Sequence, residues 1–168
     1  MRAGRRDVEI THPRKVLFPD DGIAKADLAA YYRDVAERMV PLVRDRPVSL
    51  QRFNAGIGRE GFFQKNVSKG APPWVKRVEV PKRGGSLWHV LANDAATLVW
   101  LANQNAITPH VWLSRADRLD KPDRMIFDLD PAKGVEWKAI VAGARVRAST
   151  GLSGTSEKRP ADDSFPRS

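Results

Sequence analysis

The hydrophobic patterning of this chain stops near Arg145, and no other feature limits its possible folds so strongly. Residues 146–168 hold five serines, two prolines and scattered apolar side chains, with no period of 2 or 3.6. Such a segment buries too little surface to offset its ordering entropy, so a disordered tail is expected there. That leaves residues 1–145 to fold, enough for one domain with one core. The chain has no cysteine, which excludes disulfides, thiol nucleophiles and cysteine-based metal centres. Its core must form by burial alone. Neither a membrane span nor a secretory leader is expected, and the absence of cysteine fits a reducing, bacterial-type cytoplasm.

Within the patterned part, residues 25–43 read as a helix with a stripe of Leu28, Tyr31, Val35, Met39 and Leu42, ended or kinked by Pro41. Val48 and Leu50 alternate with polar residues as in a half-buried strand. Further strands are expected at residues 8–11, 61–64, 75–80, 107–113 and 125–129. Gly84-Gly85 marks a hairpin returning through residues 87–91. Asp94 can cap a short helix through Leu101, and residues 135–144 start another. Runs of strands with helices between them predict an α+β fold, with a mixed or antiparallel sheet and flanking helices.

The net charge is +9, and the window 51–83 carries most of it: eight basic residues against Glu60 and Glu79, a net +6. Phe53, Phe62, Phe63 and Trp74 lie among these cations. Cations that neutralise phosphates, interleaved with rings that stack on bases, suit single-stranded or frayed nucleic acid. A solvated face with its rings turned into the core has the same composition, and composition does not choose between them.

Asp128 and Asp130 are two apart beside Pro131. In a strand they would project to one face while Leu129 points back into the core. Carboxylates so placed can share divalent cations, although solvated aspartates at a strand end are the commoner outcome of that spacing. His110, in Thr108-Pro109-His110-Val111-Trp112, could meet a triphosphate or be an ordinary hydrogen-bonded histidine. No Walker loop, dinucleotide fingerprint or nucleophile–base pair is present in the sequence.

Several segments together resemble the primase-like polymerase domain of bacterial ligase D. They are residues 10–19 (Ile-Thr-His-Pro-Arg-Lys-Val-Leu-Phe-Pro), 22–28, 51–53, 61–66, 98–104, 108–112 (Thr-Pro-His-Val-Trp) and 127–131 (Phe-Asp-Leu-Asp-Pro). They follow the family's order across roughly residues 8–145. The resemblance implies a member of the archaeo-eukaryotic primase superfamily that adds nucleotides at broken DNA ends during non-homologous end joining.

By that resemblance Asp128 and Asp130 are the catalytic metal pair for Mg2+ or Mn2+, and His110 lies near the incoming nucleoside triphosphate. Lys15 and Lys25 hold the DNA 5′-phosphate. Phe62 and Phe63 stack on the template strand, with Arg52 in the same basic neighbourhood. Double-strand-break ends are the implied partner, with a Ku-type end-binding protein and a ligase module as further candidates. The implied location is the bacterial cytoplasm, at the nucleoid when bound to DNA.

The sequence departs from the family pattern at two places. Ala24 stands where a threonine is often found. A Ser-Gly-x-Lys-Gly-x-His motif and a third metal-ligating aspartate are missing, and the fragment at 153–156 lacks the lysine and histidine. The expectation is a domain of residues 1–145 followed by a truncated or frameshifted tail, 146–168, with a divergent genuine tail as the alternative. Such a chain is expected not to polymerise alone. A non-catalytic DNA-end binder and a degraded gene product without a stable fold are the rival readings.

Overall fold

The computed structural model describes residues 1–126 and 129–151. The chain begins with β1 (Arg2–Ala3), β2 (Arg6–Asp7), β3 (Val16–Phe18) and β4 (Ile23–Ala24). Two helices, α1 (Lys25–Asp34) and α2 (Ala36–Val43), lead to β5 (Pro47–Arg52) and β6 (Phe62–Gln64). The rest comprises β7 (Arg77–Lys82), β8 (Gly85–Leu91), α3 (Ala95–Asn103), β9 (Ala106–Val111) and α4 (Trp137–Gly151). Met1–Met125 forms one compact unit and Ile126–Ser168 a second.

The core of the first unit is built on α3. Every side chain from Ala96 to Ala102 is buried, and only Thr97 among them is polar, so this helix has no face to give to water. Its first turn is capped as the sequence predicts: the Asp94 carboxylate accepts from the Thr97 amide and hydroxyl, both at 2.8 Å. It ends two residues later than expected. Asn105 takes the left-handed conformation (φ +57°) that asparagine tolerates, and its amide donates to the Ala102 carbonyl at 2.9 Å.

The helix expected over residues 25–43 is two helices, parted at Val35 (φ −88°, ψ −4°). Pro41 lies inside α2 and marks no boundary. At the start of α1, where Ala24 has no side chain to cap with, the Asp27 carboxylate accepts from the Ala24 amide at 2.9 Å. The buried stripe is Leu28, Ala29, Tyr32, Ala36, Val40 and Val43, mostly one position on from the expected one. One residue is 100° of helix rotation, so Tyr31 and Leu42 are 58% and 60% exposed. Reading the stripe by side-chain size missed this, because Ala29 and Ala36 are small residues on the face turned to the core. The Tyr32 hydroxyl donates to the Ile107 carbonyl at 3.0 Å, which satisfies its polar end.

The sheet is antiparallel. Its order is β6-β5-β8-β7, and β9 pairs with β5 as well. With partners on both edges, Pro47, Val48, Ser49 and Leu50 are all buried, so β5 is central where alternation suggested a half-buried strand. The β7–β8 hairpin forms as expected, turning at Arg83-Gly84 with Lys82 opposite Gly85. The turn needs the left-handed φ of +78° at Gly84.

Polar ties pin the segment after β9 to the start of β5. Arg46, only 2% exposed, donates to the Leu113 carbonyl (2.6 Å) and to Asp123 (2.8 Å). Asp45 accepts from Asn93 (2.6 Å) and Arg115 (3.0 Å).

Two expected strands are not found. Residues 8–11 pair with no strand; the chain instead folds back through the β1–β2 ribbon, and the buried Val8 accepts from the Met1 ammonium at 2.7 Å. Near the aspartate pair, Met125, Ile126 and Leu129 are exposed and in no strand, so Leu129 does not turn into a core as expected. Phe127 and Asp128 lie outside the described residues. In the second unit α4 runs past Arg145 to Gly151, so the expected boundary between residues 145 and 146 falls within a helix. Residues 152–168 of the expected tail lie outside the described residues.

Two outcomes test this packing. Leu28→Ala should cost ~2–5 kcal/mol in denaturant unfolding, because it opens a cavity beside α3. Leu42→Ala should stay within about 0.5 kcal/mol, although the size-based stripe ranks the two alike. The second concerns acid. Arg46, by hydrogen bond, holds the Asp123 carboxyl below its ordinary value. A depressed folded-state pKa gives stability that is present above the unfolded value, near 4, and lost as pH falls through the folded one. Asp123→Asn should therefore lower the melting temperature at pH 7 and flatten its decline on acidification.

Candidate nucleic-acid interface

The C-terminal turn of α3 gathers the cations. Helix-end carbonyls lack intrahelical donors and carry partial negative charge. The Asn103 carbonyl accepts from Lys25 Nζ at 3.1 Å, and the Gln104 carbonyl from Arg52 Nε at 2.6 Å. The Asn103 side-chain oxygen accepts from the Thr11 amide and hydroxyl, at 2.9 and 3.0 Å. Lys15 joins through the backbone: its carbonyl accepts the Lys25 amide at 2.8 Å, and its own amide donates to His12, which has a φ of +50°. Lys15 also lines an open cleft of about 510 Å³ with His12, Pro13 and Arg14.

Lys25 is 3% exposed, and its ammonium is anchored to the Asn103 carbonyl. Burial lowers its pKa, and the charges of Lys15 and Arg52 lower it further. Burial likewise lowers that of Arg52. Among the described residues no carboxylate pairs with Lys15, Lys25 or Arg52. Three cations held together without an acid favour an incoming anion, which would relieve their mutual repulsion.

The aromatic pair lies on β6, opposite the end of β5: Phe62 faces Arg52 and Phe63 faces Gln51. Phe62 is 45% and Phe63 57% exposed, so the rings are not core residues. The Arg52 guanidinium, whose Nη1 also donates to Gln64 at 2.6 Å, lies over Phe62, 5.4 Å from the ring centre. Arg52 thus touches both the cationic cluster and the Phe62 ring.

Alternation along β5 sends Val48 and Leu50 to the core and Ser49 and Gln51 to the opposite face. His110 pairs with Ser49 on that face, so the strand register decides its place. Its Nε2 is 3.3 Å from the Gln51 side-chain oxygen, and its ring lies 5.0 Å from that of Phe63. Phe63 and His110 therefore meet across β5 from the strands on either side. On the same face His89 is buried edge-on to Trp112, and burial lowers its pKa.

Five of the proposed site residues thus fall into two linked groups, Lys25–Arg52–Phe62 and Phe63–His110, and Lys15 joins the first. Sequence reading missed Gln51, Gln64, Asn103 and Gln104. Asn103 and Gln104 act chiefly through backbone carbonyls, which side-chain identity does not reveal. Asp130 is exposed and makes no ion pair or hydrogen bond among the described residues, so its oxygens are free for a hard cation. Asp128 lies outside the described residues. The donor set of an Asp-x-Asp pair, hard oxygens only, suits Mg2+ or Mn2+.

The family model described as LigD, primase-polymerase domain, matches residues 24–152. The multifunctional non-homologous end joining protein LigD of Mycolicibacterium smegmatis is 35% identical over 130 residues, covering 76% of this chain and 17% of that protein. The bifunctional non-homologous end joining protein LigD of Bacillus subtilis is 32% identical over 137 residues, covering 82% and 22%. The chain thus spans about a fifth of the curated relatives it matches. The polymerase domain from Mycobacterium tuberculosis ligase D in complex with DNA superposes with a TM-score of 0.73 at 31% identity, covering 86% of this chain and 55% of that one. This α+β chain, with its antiparallel sheet and flanking helices, belongs to the primase-polymerase domain family of LigD.

Proposed function

We propose that this chain engages 5′-phosphorylated ends of broken DNA in non-homologous end joining, within a domain whose chemistry is divalent-metal-dependent nucleotide addition. The observation that carries the reading is the acid-free cluster of Lys15, Lys25 and Arg52 beside the exposed rings of Phe62 and Phe63. A terminal phosphate carries more charge than a backbone phosphodiester, so the cluster would favour an end over the interior of a strand. Lys25, fixed to Asn103, would give the site its position, and Lys15 would supply the adjustable contact. Phe62 and Phe63 would stack on the unpaired template bases beyond the duplex. His110, beside Gln51, would face the incoming nucleoside triphosphate.

Asp128 and Asp130 would hold Mg2+ or Mn2+, which when bound orients the primer hydroxyl and the α-phosphate. A ligase module and a Ku-type partner are the natural complement of such an end-binding unit. Among the described residues no helix is long and apolar enough to cross a membrane.

Fluorescence anisotropy at fixed salt tests the end-binding claim. Gapped DNA with a 5′-phosphate should bind more tightly than the same DNA with a 5′-hydroxyl, and Lys15→Ala should abolish the difference. Equal affinity of the parent protein for both ends would refute it. The chemistry is tested separately by primer extension: any nucleotide addition must vanish in Asp128→Ala with Asp130→Ala, while the 5′-phosphate preference remains.

A further inference from the structure

The structure holds a second ring platform besides Phe62. Trp88, on β8, is 42% exposed, and the Arg77 guanidinium lies over its indole, 5.7 Å from the ring centre. The ring opens on a cleft of about 390 Å³ lined also by Asn66, Val67, Ser68 and Lys69. Hydrogen bonds on both sides fix the Trp88 backbone: its amide donates to the Asn66 side chain at 2.9 Å, and its carbonyl accepts from the Val67 amide at 2.7 Å. A large apolar ring held at the surface, with Arg77 over it and Lys69 lining the same cleft, is set for contact with something flat and anionic.

The two platforms are physically joined. Arg52, which covers Phe62, donates to the Gln64 side chain; Gln64 donates to the Asn66 carbonyl at 2.8 Å; and Asn66 accepts from the Trp88 amide. Phe62 and Asn66 are four residues apart, a reach of at most about 13 Å even in extended chain. A flexible single strand spans that with a few nucleotides.

We propose that Trp88, Arg77 and Lys69 form a second single-strand contact, which takes the DNA strand that has passed over Phe62 and stacks one of its bases on the indole. The only acid on this part of the hairpin is Glu79, directly across from Trp88, and its carboxylate is engaged by the Ser86 hydroxyl. With Lys69 and Arg77 against that one carboxylate, the charge balance of the cleft is cationic. The occupant is unpaired DNA, because an indole face stacks on a base only where that base is not already stacked in a duplex. This inference rests on the DNA-end reading but concerns a different surface.

The test is anisotropy with 5′-hydroxyl substrates, so that the phosphate cluster contributes nothing specific. Duplexes carry a single-stranded overhang of about three or about twelve nucleotides, within the range such surfaces cover. Trp88→Ala should weaken binding of the long overhang roughly tenfold and leave the short one within twofold. Trp88→Phe should restore most of the loss. Lys69→Gln with Arg77→Gln should reduce the salt slope for the long overhang by about 1.4, the value for two lost phosphate contacts on single strands. If Trp88→Ala and the double variant melt like the parent and bind both overhangs as it does, the second contact does not exist. If the variants lose affinity equally for both lengths, the strand does not travel from Phe62 to Trp88, and the proposal is equally overturned. The 5′-phosphate preference, measured on the same variants, should be unchanged, so failure of the end-binding reading shows separately.

Discussion

Two backbone carbonyls at the end of α3 organise this structure. The carbonyls of Asn103 and Gln104 hold Lys25 from the start of α1 and Arg52 from the end of β5, and the Asn103 side chain holds Thr11. A fully buried helix must satisfy its last carbonyls from elsewhere in the chain. Here the donors are cations, which also complement the negative end of the helix dipole. The consequence is functional as much as structural. Positive charges that elsewhere would scatter over the surface are brought to one place by the need to finish a buried helix.

From that anchor the rest of the interface follows by strand register. Arg52 is fixed, so Phe62 opposite it is fixed, and Gln51 and Phe63 lie one step along on the other face. His110 reaches Gln51 because β9 pairs with the free edge of β5. A one-residue slip of β9 would turn His110 to the core side. The ties from Asp45 and Arg46 to Asn93, Leu113, Arg115 and Asp123 hold the chain where it leaves this sheet.

Much of this was legible in the sequence, and the failures have physical reasons. The Asp94 cap and the β7–β8 hairpin are local signals, and each formed as read, although the capped helix runs two residues past Leu101. The helix stripe was displaced because Ala29 and Ala36 carry packing information that side-chain size hides. The exposure of Phe62 and Phe63 could not be read from composition, since the same residues could line a core; both rings are exposed on the short strand β6. The burial of Lys25 was not legible, because nothing local announces that a carbonyl 78 residues away will hold its ammonium. The membership of the family, by contrast, was carried by short motifs in a fixed order, which survive where individual contacts cannot be inferred.

Lys25 is the buried cation that the proposed end-binding site would keep for an anion. Its pKa is lowered by burial, by Lys15 and by Arg52, and a bound phosphate would reverse those influences. NMR titration of the lysine ε-carbons, with and without gapped DNA bearing a 5′-phosphate, measures this directly. The account predicts a depressed Lys25 pKa in the free protein that rises on binding the phosphorylated end and moves less with the hydroxyl end. A Lys25 that titrates identically in all three states would contradict it.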